Sequence, residues 1–164
     1  TVGSVADALL AAAHTCIRDF RISQPRVALA GLNPHASEGG MFGKEEADIL
    51  QPALDRAERA AIRQGWKTTF FGPVPPDTVF WEARTGAYDM VVALYHDQGL
   101  IAVKTLDFHG TVNVTLGLPY VRCSPDHGTA LHLAGTGLAN PSSFINAWEL
   151  GEILLQNRVV LHES

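Results

Sequence analysis

The sequence has few cysteines, few basic residues and no long apolar run, and each shortage excludes a class of protein. Its 2 cysteines, Cys16 and Cys123, are far apart and form no CxxC pair, so neither a zinc ribbon nor a disulfide framework is indicated. The 12 Lys and Arg are scattered and outnumbered by 17 Asp and Glu, which argues against a nucleic-acid partner. The longest apolar runs, such as residues 90–95, are too short to span a bilayer. We therefore expect a cytoplasmic protein without a membrane partner.

What the chain does contain is enough apolar residues for a folded core. Hydrophobic residues make up 46% of its 164 residues and charged residues 18%, which is typical of one ordinary globular domain. The chain opens at Thr1 and enters a helical pattern at once, from which we expect that a segment precedes it.

Helix-like and strand-like segments alternate along the chain. Apolar residues at a spacing of three and four predict a first helix with Ser4 as its N-cap and an end at Pro25. Strands are predicted at residues 26–30, 67–71, 89–95, 112–116 and 120–123, with a rigid turn at 72–77. Further helices are predicted at residues 43–65 with a break near Pro52, at 79–84 and at 141–156. This alternation indicates α/β layers with at least part of the sheet parallel.

Polar clusters follow the strongest strands, where ligands collect in open α/β sheets. A glycine-rich loop at residues 31–40 carries His35, and His96 and Asp97 follow the strand at 89–95. Imidazole and carboxylate together suit Zn, Co, Mn or Mg. Spacing alone leaves two alternatives open, a metal site and loop histidines that bond backbone carbonyls.

Nucleotide and nucleophile motifs of the common kinds are missing. The glycines of residues 31–40 do not form GxGxxG, and the sequence holds neither GxSxG nor GxxxxGK[ST]. Serine hydrolase and P-loop functions therefore have no support.

Five motifs together carry a family resemblance. They are LNPHASEGG at residues 32–40, GPVPPDT at 72–78, YHDQGL at 95–100, VNVTLGLP at 112–119 and DHGTA at 126–130. In this order and spacing, the chain from about Arg26 to the last helix resembles the 4-hydroxythreonine-4-phosphate dehydrogenase family. The resemblance implies a three-layer α/β/α fold like that of isocitrate and isopropylmalate dehydrogenases, here truncated, and a homodimer. It also implies a metal- and substrate-binding domain at residues 1–132, incomplete at its N-terminus. Residues 133–164 would be a helical segment that returns to a missing N-terminal domain.

The resemblance also implies a metal site. His35 and His96 match two of three metal-binding histidines, and the third lies upstream of this chain. Asp77 and Asp97 match carboxylates near the metal, with a helix cap as the alternative for Asp77. His14, in the first helix, replaces none of them and is interpreted as a surface or packing residue.

Substrate and cofactor positions follow from the same resemblance. Lys104, Asn113 and Arg122 match residues that hold a phosphorylated substrate, and Lys104 joins Asp77 and Asp97 as a catalytic candidate. Lys and Arg suit phosphate and carboxylate, while a solvated surface lysine and an Asp partner for Arg122 are the alternatives. An NAD loop on the adenine side is matched by His127, Gly128, Thr129, Ala130 and Asn140.

The implied activity is NAD-dependent, divalent-metal-assisted oxidation of the secondary hydroxyl of 4-phosphooxy-threonine, followed by decarboxylation, in pyridoxal phosphate biosynthesis. Departures at Met41, Phe42, residues 106–111 and Cys123 leave open a sugar-acid 4-phosphate or an aromatic-acid cis-dihydrodiol as substrate. Two further alternatives are a catalytically incomplete dimerising fragment and a metal-dependent hydrolase that uses His35, Asp77 and His96 without NAD. The chain alone is expected to be inactive.

Overall fold

The computed structural model describes residues 1–160, and the chain divides into two compact units between Gly99 and Leu100. This boundary separates two units that each pack on themselves. The boundary predicted between residues 132 and 133 separates a metal- and substrate-binding domain from a helical segment, and it stays a prediction. No helix within residues 1–160 has the length and apolar character needed to cross a bilayer.

The first unit begins with helix α1, Val2–Arg18. Its N-cap is Thr1, whose hydroxyl accepts the backbone N–H of Ser4 while the Ser4 hydroxyl bonds back to Thr1. The prediction of Ser4 as N-cap is therefore wrong, because Ser4 is the second partner of a capping box. The helix also ends well before Pro25, and Arg21 then turns the chain with a φ of 57°.

Three parallel strands form the sheet of this unit. Strand β1 is Arg26–Ala30, β2 is Thr69–Val74 and β3 is Met90–Val92, and their order is β2-β1-β3. The prediction for β2 was wrong at its end, since Gly72 and Pro73 continue the strand instead of forming a turn. Proline is tolerated there because β2 lies at the edge of this three-stranded sheet. β3 is shorter than the predicted 89–95.

Helices cover both faces of this sheet. Val27 and Leu29 pack against α1 and against α2, Gln51–Arg63, while Ala28 and Ala30 pack on the other face against α3, Val79–Arg84. The alternation follows from the two-residue period of a strand. The three-layer α/β/α arrangement predicted for the chain is confirmed in this unit.

A single π turn, Glu46–Leu50, precedes α2. Pro52 lies in the first turn of α2, directly after this π turn. The backbone stays helical through Leu50 and Gln51, so the break predicted near Pro52 is a change from π to α hydrogen bonding and not an interruption of the helix.

Helix α4, His96–Leu106, was missed by the sequence analysis and carries the chain past the boundary at Gly99. In the second unit, β4, Val112–Val114, pairs antiparallel with β5, Cys123–Pro125. Both strands are shifted or shortened relative to the predicted 112–116 and 120–123. The last helix is α5, Ser142–Val160, which packs against the two-stranded sheet and buries Leu154 completely.

Candidate functional site

Three candidate residues follow the carboxyl ends of three neighbouring strands. His35 comes after β1, Asp77 after β2 and His96 after β3. Because the strands are parallel and hydrogen-bonded in the order β2-β1-β3, these segments leave the sheet at the same edge. All three residues are exposed and therefore accessible to a ligand.

The backbone around His35 has an unusual conformation. Pro34–Gly40 forms a 3₁₀ turn in which His35, Ala36, Ser37 and Glu38 all have positive φ, at 53°, 50°, 73° and 44°. Non-glycine residues seldom adopt these angles, and such strain concentrates at functional sites. The turn therefore supports a functional hypothesis for His35.

A buried carboxylate fixes the start of this turn. Oε1 of Glu46 accepts the backbone N–H of Leu32 at 2.9 Å and that of Asn33 at 2.8 Å. Its Oε2 accepts from the side-chain amide of Asn33 at 2.8 Å, and Glu45 accepts from the same amide. Burial by itself raises the pKa of Glu46, but these bonds outweigh it and leave the pKa below its ordinary value. Glu46 thus holds the chain directly before Pro34 and His35.

Replacing Glu46 with Gln should lower the free energy of unfolding by about 1–3 kcal/mol, because an amide donor would then face the amide of Asn33. Since folding lowers the pKa of Glu46, its contribution is full above its ordinary value of 4.5 and is lost as pH falls through the folded value. Urea unfolding of the unchanged protein and of the Glu46→Gln variant between pH 7 and pH 3 checks this. The stability difference should shrink below about pH 4.5, and a difference that stays constant would contradict it.

His96 is paired with its neighbour Asp97. Nδ1 of His96 lies 2.7 Å from Oδ1 of Asp97, and both side chains are largely exposed. When Asp97 is ionised and the ring of His96 is neutral, this bond places the ring hydrogen on Nδ1 and leaves the lone pair of Nε2 for a ligand. A carboxylate that orients a histidine in this way is common around protein-bound metals. Asp97 therefore fits the orienting role predicted for it.

The segments before His35 and His96 are joined by Gln98. Its Nε2 donates to the carbonyl of Gly31 at 2.8 Å, and its Oε1 accepts the N–H of Leu94 at 2.7 Å. The N–H of Gly31 in turn donates to the carbonyl of Val74 at 2.7 Å. One chain of hydrogen bonds thus crosses all three strand ends.

Asp77 lies exposed after β2. The helix that follows has Thr78 as its N-cap, so the alternative that Asp77 caps this helix is wrong. No group of three or more His, Cys, Asp or Glu side chains within residues 1–160 is arranged to hold a metal ion. As the side chains stand, Asp77 therefore does not complete a three-ligand group with His35 and His96.

The predicted substrate residues lie in or near the second unit's hairpin. Asn113 is paired with Ser124 across the two strands, and the carbonyl of Arg122 accepts the N–H of Thr115. Nη1 of Arg122 donates to Oγ1 of Thr115 at 2.8 Å, so Arg122 has a hydroxyl partner and not the Asp considered as an alternative. Asn113 and Arg122 are both exposed, whereas Val112 and Val114 are half-buried. The hairpin thus offers a polar face.

Lys104 is not a freely solvated lysine. Its Nζ lies 3.3 Å from Oδ2 of Asp126, an ion pair without an aligned hydrogen bond, and donates to the Asp126 carbonyl at 3.4 Å. It also lies 5.7 Å from the centre of the Phe108 ring. The surface-lysine alternative is therefore wrong, and an anion bound by Lys104 would share it with Asp126.

The residues predicted to bind NAD form an exposed loop. Nδ1 of His127 lies 2.9 Å from the carbonyl of Gly128, and Ala130 has a φ of 46° at the start of a short 3₁₀ turn, Leu131–Leu133. Thr129 is exposed between them. Asn140 accepts both the N–H and the hydroxyl of Ser142, so it stabilises the start of α5. Cofactor binding by these residues stays a prediction.

The cysteines and His14 have structural positions. Burial, with a smaller effect of the Asp89 charge, raises the pKa of the Cys16 thiol to about 11. Cys123 is half-buried beside Gly151, and burial raises the pKa of its thiol too. The ring of His14 stacks on Trp66 at 5.6 Å, which confirms it as a packing residue.

Comparison with known proteins decides the family. The sequence profile described as "Pyridoxal phosphate biosynthetic protein PdxA" matches residues 1–151. The chain belongs to this family. The match begins at residue 1, so the family likeness also covers the residues before Arg26, where the resemblance was expected to begin.

Curated PdxA-family relatives are named 4-hydroxythreonine-4-phosphate dehydrogenases. The chain is 59% identical to that of Maricaulis maris over 80% of its own length and 37% of the relative's. It is 45% identical to that of Caulobacter vibrioides over 98% of its length and 46% of the relative's. The chain therefore spans less than half the length of the relatives it matches.

Solved structures agree with the fold. A 4-hydroxythreonine-4-phosphate dehydrogenase from Klebsiella pneumoniae matches with a TM-score of 0.76 and 42% identity, covering 96% of this chain and 45% of that one. A terephthalate 1,2-cis-dihydrodiol dehydrogenase from Burkholderia xenovorans matches with a TM-score of 0.61 and 31% identity, covering 92% and 48%. The likeness of this PdxA-family chain is thus to dehydrogenases with two different named substrates.

Two residues of the candidate site were missed from the sequence, Glu46 and Gln98. Gln98 stands in the third position of α4, where a glutamine that reaches back over the helix start has a recognised capping role. That signal was readable once a helix was placed after Tyr95. The hydrogen bonds of Glu46 could not be predicted from its neighbours in sequence, because its partners Leu32 and Asn33 lie in an earlier segment of the chain.

Proposed function

We propose that the protein is an NAD-dependent, divalent-metal-assisted dehydrogenase of 4-hydroxythreonine 4-phosphate, also called 4-phosphooxy-threonine. It would oxidise the secondary hydroxyl, and the product would then lose carbon dioxide. The observation that supports this most is the position of His35, Asp77 and His96 after three adjacent strand ends in a chain of the PdxA family.

The donor set fits a divalent ion. His35 and His96 are exposed at one edge of the sheet, and Asp97 keeps Nε2 of His96 available. These two imidazoles would hold the ion and Asp97 would orient His96. In the complete protein Asp77 would act as a further ligand or as a holder of a ligand. Zn, Co, Mn or Mg at this place would supply a Lewis acid for the substrate hydroxyl.

Substrate binding would fall to Lys104, Asn113 and Arg122. The guanidinium fork suits a phosphate or carboxylate, and Thr115 already holds Arg122 through one of its nitrogens. Lys104 would add a second positive charge, with Asp126 keeping its ammonium in place. Residues 127–130 and Asn140 would take NAD, which accepts the hydride.

The chain would need an upstream segment to work. It spans less than half the length of its relatives, and no group of three or more His, Cys, Asp or Glu side chains within residues 1–160 is arranged to hold an ion. We propose that the missing histidine lies upstream, that the complete protein is a homodimer and that it works in the cytoplasm.

One observation favours a second substrate class, the cis-dihydrodiol of an aromatic acid. Met41 and Phe42 follow the His35 turn and are 73% and 47% exposed, an apolar edge that suits an aromatic ring. The structural likeness to a terephthalate dihydrodiol dehydrogenase points the same way. The departure at Cys123 carries less weight, because its thiol lies near α5 and is half-buried.

The test is an assay of the full-length protein with 4-hydroxythreonine 4-phosphate, NAD and Co²⁺. We expect formation of NADH that depends on all three, and loss of activity with a chelator. Parallel assays with a sugar-acid 4-phosphate and a terephthalate cis-dihydrodiol identify the substrate class. Turnover without NAD would indicate a metal-dependent hydrolase and overturn the proposal, and so would a failure to turn over every one of these substrates.

A further inference from the structure

The side chain of Gln98 joins the segment that carries His35 to the segment that leads into His96. It is 8% exposed, and both ends of its amide are hydrogen-bonded. One partner, Leu94, lies between β3 and α4, two residues before His96. The other, Gly31, belongs to the loop of His35 and lies far away in sequence. A single buried amide therefore fixes the distance between these two segments.

Gly31 connects Gln98 to the His35 turn, because it is hydrogen-bonded to Gln98 and lies close to Ala36. Its N–H is held by the carbonyl of Val74 and its carbonyl by Gln98, so the peptide groups on both sides of its Cα are fixed. A Cβ added at Gly31 would lie 3.2 Å from Cα of Ala36 and 3.2 Å from the Val74 oxygen. Gly31 is thus packed directly against the residue that follows His35.

A local capping role does not account for both bonds. The bond from Leu94 to Oε1 is the kind that a glutamate or a glutamine makes at the start of a helix. The bond from Nε2 to Gly31 needs a donor, which an ionised glutamate lacks. The amide is therefore the chemical form that serves both loops at once.

We propose that Gln98 is a positioning residue that sets the placement of His35 relative to His96 for a shared metal ion. The inference rests on the proposed function, since it assumes that both histidines bind one ion. Gln98 itself would contact neither the ion nor the substrate. It would act through the backbone of Gly31 on one side and of Leu94 on the other.

Two substitutions in the full-length protein distinguish the hydrogen bond from Gln98 to Leu94 from its hydrogen bond to Gly31. Gln98→Met removes both hydrogen bonds at similar length, whereas Gln98→Glu keeps an acceptor for Leu94 and loses the donor to Gly31. The control is Gln51→Met, because the side chain of Gln51 donates to the side chain of Asp55 on the exposed surface of its own helix. Gln98→Glu also keeps the proposal testable if Gln98→Met prevents folding.

The measurements are Co²⁺ affinity by titration calorimetry and the ring signals of the histidines in metal-free NMR spectra. We expect both Gln98 variants to weaken Co²⁺ binding about 10-fold or more and to shift the His35 ring signals, with Gln51→Met unchanged. If Gln98→Glu leaves the His35 signals and the Co²⁺ affinity as in the unchanged protein, Gln98 is only a helix cap and the proposal is wrong.

The two proposals can fail separately. If the unchanged protein binds no Co²⁺, the proposed function fails, and with it the metal-directed purpose assigned to Gln98. If the unchanged protein binds Co²⁺ tightly and both Gln98 variants do so equally well, the proposed function stands and the positioning role falls.

Discussion

A protein made only of residues 1–164 should form NADH from 4-hydroxythreonine 4-phosphate and Co²⁺ at least about 10–100 times more slowly than the full-length protein. The proposed site draws two histidines from this chain, and no group of three or more His, Cys, Asp or Glu side chains within residues 1–160 is arranged to hold an ion. Loss of an outer-shell partner alone typically costs 10–100-fold in metal affinity or activity, and loss of a direct ligand should cost at least as much. A second copy of the same 164 residues would lack the same segment.

The comparison needs both proteins at equal concentration and saturating metal, with circular dichroism to show that the shorter one is folded. A folded short protein with low turnover is the expected result. If it matches the full-length protein in turnover, the third ligand and the remaining substrate contacts must lie within these residues, and our assignment of an upstream histidine is wrong.

Substitution of His35 or His96 with Ala in the full-length protein should weaken Co²⁺ binding by about 100-fold or more, roughly 2.7 kcal/mol. Turnover should fall with it, because each change removes a direct ligand of the proposed site. Asp97→Asn should have a smaller effect, since the amide still contacts the ring but no longer holds its hydrogen on Nδ1 as a carboxylate does. Titration calorimetry with Co²⁺ measures all three.

His132→Ala is the matched control for Co²⁺ affinity, because His132 is exposed in the short 3₁₀ turn of the second unit. Its Co²⁺ affinity should equal that of the unchanged protein. Equal affinities of the His35 and His96 variants with this control would remove both histidines from any metal site.

Much of the fold was predictable because local patterns and tertiary packing agree. The strand β1 was predicted at its observed bounds, since residues 27–30 after Arg26 are all apolar, as in a strand buried on both faces. Helix α3 was likewise predicted at its observed bounds. The end of β2 was predicted wrongly because its sequence is compatible with two structures. Gly72 and Pro73 are typical of a turn, but they are also tolerated in an edge strand, which is where they lie.

Prediction of the site was uneven for a related reason. Histidines and aspartates after strands are visible in a sequence, and the resemblance supplied a role for each. Glu46 and Gln98 act on backbone groups of distant segments, and a backbone N–H or carbonyl looks the same at every position of a sequence. The helix α4 was missed because Gly99 and β-branched residues weaken its pattern.

The two small alanines on one face of β1 have a mechanical consequence. Ala28 and Ala30 form the floor on which α3 rests, and the residue seated there is the fully buried Val79, two positions after Asp77. The size of the side chains at positions 28 and 30 therefore limits how closely the start of α3, and with it Asp77, approaches the sheet. A bulkier side chain at Ala28 should therefore displace the start of α3, and with it the backbone of Asp77, without altering any residue of the proposed site.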